Sequence, residues 1–254
     1  MSEDKDEILD FALQMGCMML ESGAETQRIQ WTMEMILSNY CSAAQSYVIP
    51  TGVFAGIYNT NATASATRFR RITDRRVDLE RIMMLNDIAR RFKRHELNIS
   101  QSMERLEKVK QMTEFNPWIR LLCYGLISLA FTILFGGAAY DGFASFIVGI
   151  LLGIAMLFLG KFRISSLITN IIGGIVITFF ALLLLHFGIG LSYIKIITGS
   201  LMPLVPGFAI TSAARDMAFG DIVSGTAKAA EAVFISVGIT FGVLIVLHLR
   251  SVIM

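Results

Sequence analysis

The chain changes character at residue 116, where it reads Asn116-Pro117-Trp118-Ile119-Arg120-Leu121-Leu122. Of the first 117 residues 31 are charged, whereas only 11 of the remaining 137 are. A helix needs about 20 apolar residues to cross a bilayer core of about 30 Å, and the stretch from Trp118 to Ala138 has that length and composition. The sequence therefore predicts a membrane protein in two parts, a water-exposed domain at residues 1–117 and a membrane domain at residues 118–254.

The composition of the whole chain excludes several other classes. Its 254 residues are 54% hydrophobic and 17% charged, with a formal net charge of +2. This balance argues against a disordered protein and against a nucleic-acid binder that depends on excess basic charge. The three cysteines and three histidines lie far apart without the spacing of metal ligands, so we expect no disulfide framework, no metal and no cofactor.

Five hydrophobic stretches in the second part predict an α-helical bundle of five transmembrane spans. They lie near residues 118–138, 142–160, 165–187, 191–210 and 232–249. The acidic beginning of the chain has neither the basic nor the apolar region of a secretory signal, so we expect a multi-pass protein with a cytosolic N-terminus. Lys161 and Arg163 then lie in a cytosolic loop, as the positive-inside tendency requires.

The fourth hydrophobic stretch contains two of the four prolines of the chain, Pro203 and Pro206. Each removes a backbone donor and clashes with the preceding turn, which predicts a kinked or broken span. In transporters, broken spans commonly hold small substrates or ions. Pro203, Pro206 and Gly207 are therefore candidate substrate-binding or coupling residues, and the alternative is a packing kink without functional meaning.

Five of the eleven charges of the second part fall between residues 211 and 231. The Arg215 guanidinium can hold a carboxylate in bidentate fashion, and in our hypothesis the Gly207 backbone helps to orient that carboxylate. Asp216 or Asp221 can bind an ammonium group or carry a proton. The alternative interpretation is a solvated cytosolic loop that anchors the topology.

The first part has the pattern of an α+β domain. Helical periodicity covers residues 7–22, 25–40, 78–94 and 100–112, with Ser100 as the expected N-cap of the last helix. Residues 46–49, 53–58 and 63–72 are β-prone and predict a small antiparallel sheet. The basic run at residues 68–76 alternates with acidic residues and lacks interleaved aromatics, so we expect a solvated surface and no nucleic-acid partner, with lipid headgroups or an acidic substrate as alternatives.

Several short motifs follow one another in a specific order. They are Ser22-Gly-Ala-Glu25-Thr-x-Arg28, Pro50-Thr51-Gly52, Arg71-x-x-x-Arg75-x-x-Asp78-Leu79, Leu204-Val-Pro-Gly-Phe208 and Arg215-Asp216-x-x-x-Gly220-Asp221. In this order, and with the soluble-then-membrane layout, the chain resembles the threonine/serine exporter family, specifically its YjjP-like large subunit. The resemblance covers essentially the whole chain and marks Glu25, Arg28, Thr51, Gly52, Arg75 and Asp78 as motif candidates of the cytosolic domain.

The resemblance implies a secondary transporter and not an enzyme. Its location would be the bacterial cytoplasmic (inner) membrane, its substrate threonine, serine or a dicarboxylate such as succinate, and its driving force the proton gradient. Because the chain stops after the fifth span, it resembles the split form of the family, which implies a small YjjB-like membrane subunit as partner. The lipid bilayer and an oligomeric assembly are the other expected partners.

Two functions from other classes remain open at this stage. The first is a membrane-tethered hydrolase that uses Glu25 or Thr51, although no GxSxG elbow or Walker motif occurs in the sequence. The second is a noncatalytic membrane scaffold.

Overall fold

The computed structural model describes residues 2–38, 43–58, 64–112, 116–162 and 164–253. The chain folds into two compact units. The first unit comprises residues 1–113 and 210–229, and the second unit comprises residues 114–209 and 230–254. Residues 210–229, which follow the predicted fourth span, thus pack with the N-terminal residues.

The first unit contains most of the α+β pattern that the sequence predicts. Its elements are α1 (Ser2–Glu21), α2 (Thr26–Leu37), β1 (Ala44–Ile49), β2 (Gly52–Tyr58), β3 (Ala64–Arg71), α3 (Leu79–Lys93) and α4 (Ile99–Lys110). The strands form an antiparallel sheet, as predicted, and their order in it is β1-β2-β3. A two-residue turn connects the paired residues Ile49 and Gly52.

One face of this sheet and the apolar stripes of the helices form a common core. Fully buried members include Phe11, Met15, Met33, Ile57 and Phe92. The alternation along β2 places Val53, Ala55 and Ile57 on the core side, as the period of two in a strand requires.

The N-cap expected at Ser100 is wrong, because α4 begins after Asn98. The Asn98 side chain accepts a hydrogen bond from the Gln101 amide at 2.8 Å, and the Gln101 side chain accepts one from the Asn98 amide at 3.1 Å. Asparagine is a strong N-cap, and the glutamine three residues later completes a capping box. Ser100 therefore lies inside the first turn of the helix.

The hydrophobic part forms six helices among the described residues. They are α5 (Pro117–Leu134), α6 (Ala139–Leu159), α7 (Ser166–His186), α8 (Tyr193–Leu201), α9 (Gly207–Ala218) and α10 (Ile222–Ile253). Among the described residues four helices are long and apolar enough to cross a membrane, and five spans result if α8 and α9 together count as one. The protein is thus a membrane protein with four to five candidate spans.

The break in the fourth predicted span is confirmed. Helix α8 ends at Leu201, a 3₁₀ turn covers Met202–Leu204, and α9 begins at Gly207. The two helices are bent by 52° at this point. Pro203 lies within the 3₁₀ turn and Pro206 directly precedes α9, so both prolines lie where the regular hydrogen bonding stops.

Glycines bring α7 and α10 into backbone contact within the second unit. A Cβ atom added to Gly174 would lie 2.5 Å from the Ile239 carbonyl oxygen, and one added to Gly242 would overlap the Ile171 carbonyl oxygen. No larger residue has room at these two positions. Small residues are the usual means of close helix packing where water supplies no hydrophobic driving force.

Candidate functional site

A helical hairpin built from the end of α9 and the beginning of α10 carries the charges of residues 211–231. The turn depends on Gly220, whose φ of +89° is unfavourable for other residues. Asp221 accepts a hydrogen bond from the Ser224 amide at 3.2 Å in the first turn of α10. A Cβ on Gly225 would lie 2.5 Å from Met217 Cγ, so this glycine allows the two helices to approach closely.

The hairpin brings Asp216 of α9 and Lys228 of α10 together in the interior. Asp216 is only 1% exposed and Lys228 only 7%. The Lys228 Nζ atom lies 2.6 Å from Asp216 Oδ2, and the Thr26 hydroxyl donates to the same oxygen at 3.0 Å. Buried charges are tolerated when they are paired and hydrogen-bonded, and these two side chains meet both conditions.

A second ion pair lies beside the first. Arg215, the residue before Asp216, pairs with Glu25, the residue before Thr26. The Arg215 side chain is 54% exposed, so this pair is accessible while the Asp216–Lys228 pair is not. Two adjacent residues at the start of α2 thus engage two adjacent residues of α9.

The sequence-based interpretation of Asp216 as part of a solvated loop is wrong. Residues 207–218 are helical, and Asp216 is buried because Lys228 and Thr26 compensate its charge. Arg215 keeps a largely exposed side chain, although it too is helical and paired. The two residues therefore differ in the environment that they offer to a ligand or a proton.

Asp221 and the broken span occupy other positions. Asp221 Oδ1 accepts from Ser224, while its Oδ2 is buried and has no hydrogen-bond partner among the described residues. Gly207 begins α9 eight residues before Arg215, which corresponds to about 12 Å of helix rise. The described contacts unite Arg215 and Asp216 with Glu25 and Thr26.

The remaining motif residues of the first part are distributed over the first unit. Arg28 donates to Asn86 at 3.4 Å, and Asp78 is the N-cap of α3, where it accepts from the Arg81 amide at 2.9 Å. Thr51 lies in the β1–β2 turn, and a Cβ on Gly52 would lie 2.7 Å from the Phe69 ring. Arg75 is exposed in the segment between β3 and α3.

Sequence reasoning missed Lys228 and Thr26 as site residues. Thr26 lies inside the motif that begins at Ser22, and Lys228 belongs to the charge cluster, so both were visible. The contacts of Thr26 with Asp216 and Lys228 were not visible in the sequence, because 190 residues separate Thr26 from Asp216 and 202 separate it from Lys228. The hairpin that brings Lys228 back onto Asp216 depends on the glycine contact at Gly225.

A second buried carboxylate, also missed, lies in the second unit. Asp141 is 2% exposed and accepts three backbone hydrogen bonds, from Leu191 at 2.6 Å, Ser192 at 2.9 Å and Ala138 at 3.0 Å. It caps the beginning of α6 and holds the turn that precedes α8.

Burial also changes two ionisable groups in the first unit. Burial raises the pKa of the Cys17 thiol to about 12, which makes it a poor nucleophile near neutral pH. Burial raises the pKa of Glu21 as well, and the opposing positive charges of Arg70, Arg81 and Lys110 reduce that effect.

The chain matches a known family over nearly its whole length. The family described as "Putative threonine/serine exporter" matches residues 10–250. No solved structure shows significant similarity to the chain.

Similar curated proteins come from fungi and are much longer than this chain. A protein of Debaryomyces hansenii named pheromone-regulated membrane protein 10 is 28% identical over 152 residues, which are 58% of this chain and 15% of that protein. An uncharacterized protein of Schizosaccharomyces pombe is 22% identical over 230 residues, which are 87% of this chain and 30% of that protein. The chain thus spans less than a third of the length of these relatives.

Proposed function

The chain belongs to the threonine/serine exporter family, and on that premise we propose that it is the large, YjjP-like subunit of a secondary transporter. It exports small carboxylate-bearing metabolites, namely threonine, serine or a dicarboxylate such as succinate. The proton gradient drives export across a bacterial inner membrane, with residues 1–117 in the cytosol. A small YjjB-like membrane subunit completes the transporter.

The observation that carries this proposal is the pair of adjacent contacts between α2 and the α9–α10 hairpin. An exporter coupled to protons needs a cation that binds the substrate carboxylate and a group whose charge changes with protonation. Arg215 offers the first because its side chain is about half exposed, and Asp216 offers the second because its charge is compensated by side chains alone.

Substrate binding begins with exchange at Arg215. The substrate carboxylate replaces the Glu25 carboxylate on the guanidinium, whose planar fork accepts either group in the same geometry. Glu25 is thereby released from its contact with α9. Binding of the substrate therefore loosens one of the two connections between α2 and the hairpin.

Protonation of Asp216 loosens the other connection. A neutral carboxyl no longer compensates the buried ammonium of Lys228, and an uncompensated buried charge is strongly unfavourable. Lys228 must then move to another acceptor or to water, which favours a different arrangement of the hairpin. Asp221 is the second candidate for carrying the proton or for binding a substrate ammonium group. The break at which the backbone bends is supplied by Pro203, Pro206 and Gly207.

The test is counterflow in proteoliposomes that contain this chain and the small subunit, with labelled threonine, serine and succinate offered separately. We expect flux of at least one of the three, stimulated by a proton gradient, and a loss of at least tenfold in Arg215→Ala. The matched control is Arg68→Ala, because Arg68 is also a partly exposed arginine of the first unit that pairs with carboxylates, Asp6 and Asp10.

Two results would contradict the proposal. Unchanged flux in a folded Arg215→Ala variant would remove Arg215 from the mechanism. Absence of flux for all three substrates would favour the scaffold, or the tethered hydrolase if substrate turned over instead. For the hydrolase, no hydrogen bond among the described residues joins Glu25 or Thr51 to a serine, cysteine or histidine, so the pairing of nucleophile and base is not in place.

A further inference from the structure

The chain between the end of β3 and the start of α3 concentrates positive charge within the first unit. Residues 70–76, the arginine segment, contain four arginines and one carboxylate, Asp74, and have a formal net charge of +3. All four arginines are exposed. Arg70 and Arg71 form no ion pair with any described residue, whereas Arg68 before them pairs with two carboxylates of α1. The arginine segment therefore attracts anions.

Exposed apolar side chains follow the arginine segment directly. Val77 is 54% exposed, Leu79 67% and Met83 64%. Val77 and Leu79 flank the extended residue Asp78 and point to the same side, and Met83 lies one turn beyond Leu79 on the same face of α3. These three side chains form an apolar ridge. Single exposed apolar residues are ordinary, but three neighbouring ones beside a basic segment are typical of an interaction site.

Backbone hydrogen bonds hold this surface in place, although residues 72–78 form neither helix nor strand. The Arg76 amide donates to the Glu21 carbonyl at 2.8 Å, and the Asp78 amide donates to the Ser22 carbonyl at 3.0 Å. Both acceptors lie at the end of α1 and in the turn after it. A surface that is ordered before binding loses less conformational entropy when a partner arrives.

The same surface is tied to the residues that lead into the first apolar helix. Nη2 of the Arg81 guanidinium donates to the Met112 carbonyl at 2.8 Å. Helix α5, the first candidate span, begins at Pro117, five residues further along the chain. Five residues of fully extended chain reach at most about 18 Å. The length of the chain alone therefore keeps Arg81, two residues from Leu79, within reach of the bilayer that a span at α5 enters.

We propose that the arginine segment and the apolar ridge together form a surface that binds the anionic headgroups of the bilayer. The arginines attract the negative membrane surface, and the ridge inserts between the headgroups. Charge complementarity selects this partner, because a zwitterionic surface offers no net charge to the arginines and a soluble polyanion offers no apolar contact to the ridge. The surface includes neither Arg215 nor Asp216, so the inference does not rest on the proposed transport function.

A fluorescent probe on the ridge tests the proposal in the full chain. Met83→Cys, combined with Cys41→Ser and Cys123→Ser, is labelled with an environment-sensitive dye and placed in phosphatidylcholine nanodiscs with or without phosphatidylglycerol. Cys17 remains, but it is buried. We expect phosphatidylglycerol to shift the emission to the blue and to reduce quenching by acrylamide at least threefold. Potassium chloride at about 0.5 M should reverse both changes, because it screens the charges.

A second probe position serves as the control for location. Arg94→Cys places the dye at the other end of α3, eleven residues from Met83 and thus about 16 Å away along the helix axis. The Arg94 side chain is 71% exposed, so the dye reacts there equally well. We expect no response to phosphatidylglycerol at this position. A response of equal size at both positions would overturn the proposal, because the ridge would then not be the contact.

Removal of charge tests the arginine segment. One variant of the Met83→Cys chain loses three exposed arginines of the segment through Arg70→Gln, Arg71→Gln and Arg75→Gln. The matched control loses three exposed cations elsewhere in the first unit through Arg90→Gln, Arg94→Gln and Lys108→Gln. The two variants have the same net charge, so we expect the first to lose the response to phosphatidylglycerol and the second to keep it. Equal responses in the two variants would overturn the proposal.

Other occupants of the surface give different results with the Met83 probe. Inorganic phosphate added to phosphatidylcholine discs should leave the dye accessible to acrylamide, and shielding by phosphate would show a site for free anions instead of a bilayer contact. A dye that is already shielded in phosphatidylcholine discs would show that protein covers the ridge. Either result would overturn the proposal. The proposed transport function is tested separately by counterflow through Arg215, so the two can fail independently.

Discussion

Asp216 and Asp141 are both buried carboxylates, and the protein satisfies them in different ways. Asp216 is held by two side chains, the Lys228 ammonium and the Thr26 hydroxyl. Asp141 is held by three backbone amides. Backbone amides are fixed by the fold, whereas side-chain partners can rotate, exchange or change protonation. The contrast is the basis of our proposal that Asp216 changes state during transport, whereas the three backbone amides hold Asp141 in one place.

Loss of Lys228 should have the largest effect on this contrast. Lys228→Met leaves the Asp216 charge buried without a counterion, and breaking a buried ion pair costs about 3–5 kcal/mol. We expect a large fall in the free energy of unfolding, measured by thermal or denaturant unfolding of the full chain. The double variant Asp216→Asn, Lys228→Met removes both charges and should recover most of the loss. A single variant as stable as the parent would show that the pair contributes nothing.

Asp141→Asn should have a smaller effect. The asparagine oxygen can still accept from Leu191 and Ser192, but its amide nitrogen cannot accept from Ala138. One unsatisfied buried donor costs about 1–3 kcal/mol. Unfolding of the full chain measures this loss. The pH dependence of flux should stay normal in Asp141→Asn, whereas Asp216→Asn should abolish the pH dependence. A changed pH profile of flux in Asp141→Asn would contradict the proposal that Asp216 changes state during transport while Asp141 does not.

Thr26→Val should have a smaller effect again. Valine has nearly the shape of threonine but lacks the hydroxyl that donates to Asp216, so we expect a loss of about 1 kcal/mol. Thr26→Ser keeps the donor and is the control. If both variants lose the same stability, the methyl group and not the hydroxyl is the relevant part of Thr26.

Cys17 is a buried ionisable group that stays neutral, in contrast to the two carboxylates. Here we expect an effect on the rate at which the thiol is labelled. With a pKa of about 12, the thiolate fraction at pH 7.5 is on the order of 10⁻⁵ to 10⁻⁴. In a Cys41→Ser, Cys123→Ser variant, maleimide should label Cys17 very slowly in the folded protein and rapidly after denaturation. Fast labelling of the folded protein would show that this part of the first unit opens readily.

The sequence predicted those features that depend on local composition. The drop in charge after residue 117 indicated the apolar helices, and Pro203 and Pro206 indicated the break, because both signals act on the backbone where they occur. The β-prone runs between residues 46 and 72 likewise predicted the small antiparallel sheet. These inferences needed no knowledge of which segments meet.

The partners of the buried charges could not be predicted in this way. Asp216 meets Thr26 across 190 residues, and the carboxylate of Asp141 meets Leu191 across 50. Local patterns contain no information about such pairings. The motif resemblance marked Glu25, Arg215 and Asp216 individually, yet only the fold places them together and adds Lys228.

The glycine contact between α7 and α10 has a consequence for biosynthesis. The segments that meet, around Gly174 and Gly242, are separated by about 70 residues of chain. At about 5–20 residues per second, ribosomes need roughly 3–14 s to make that length. During this interval the Gly174 face of α7 lacks the α10 residues against which it packs in the complete protein. We therefore expect that delays in synthesis before residue 242 increase misassembly of α7.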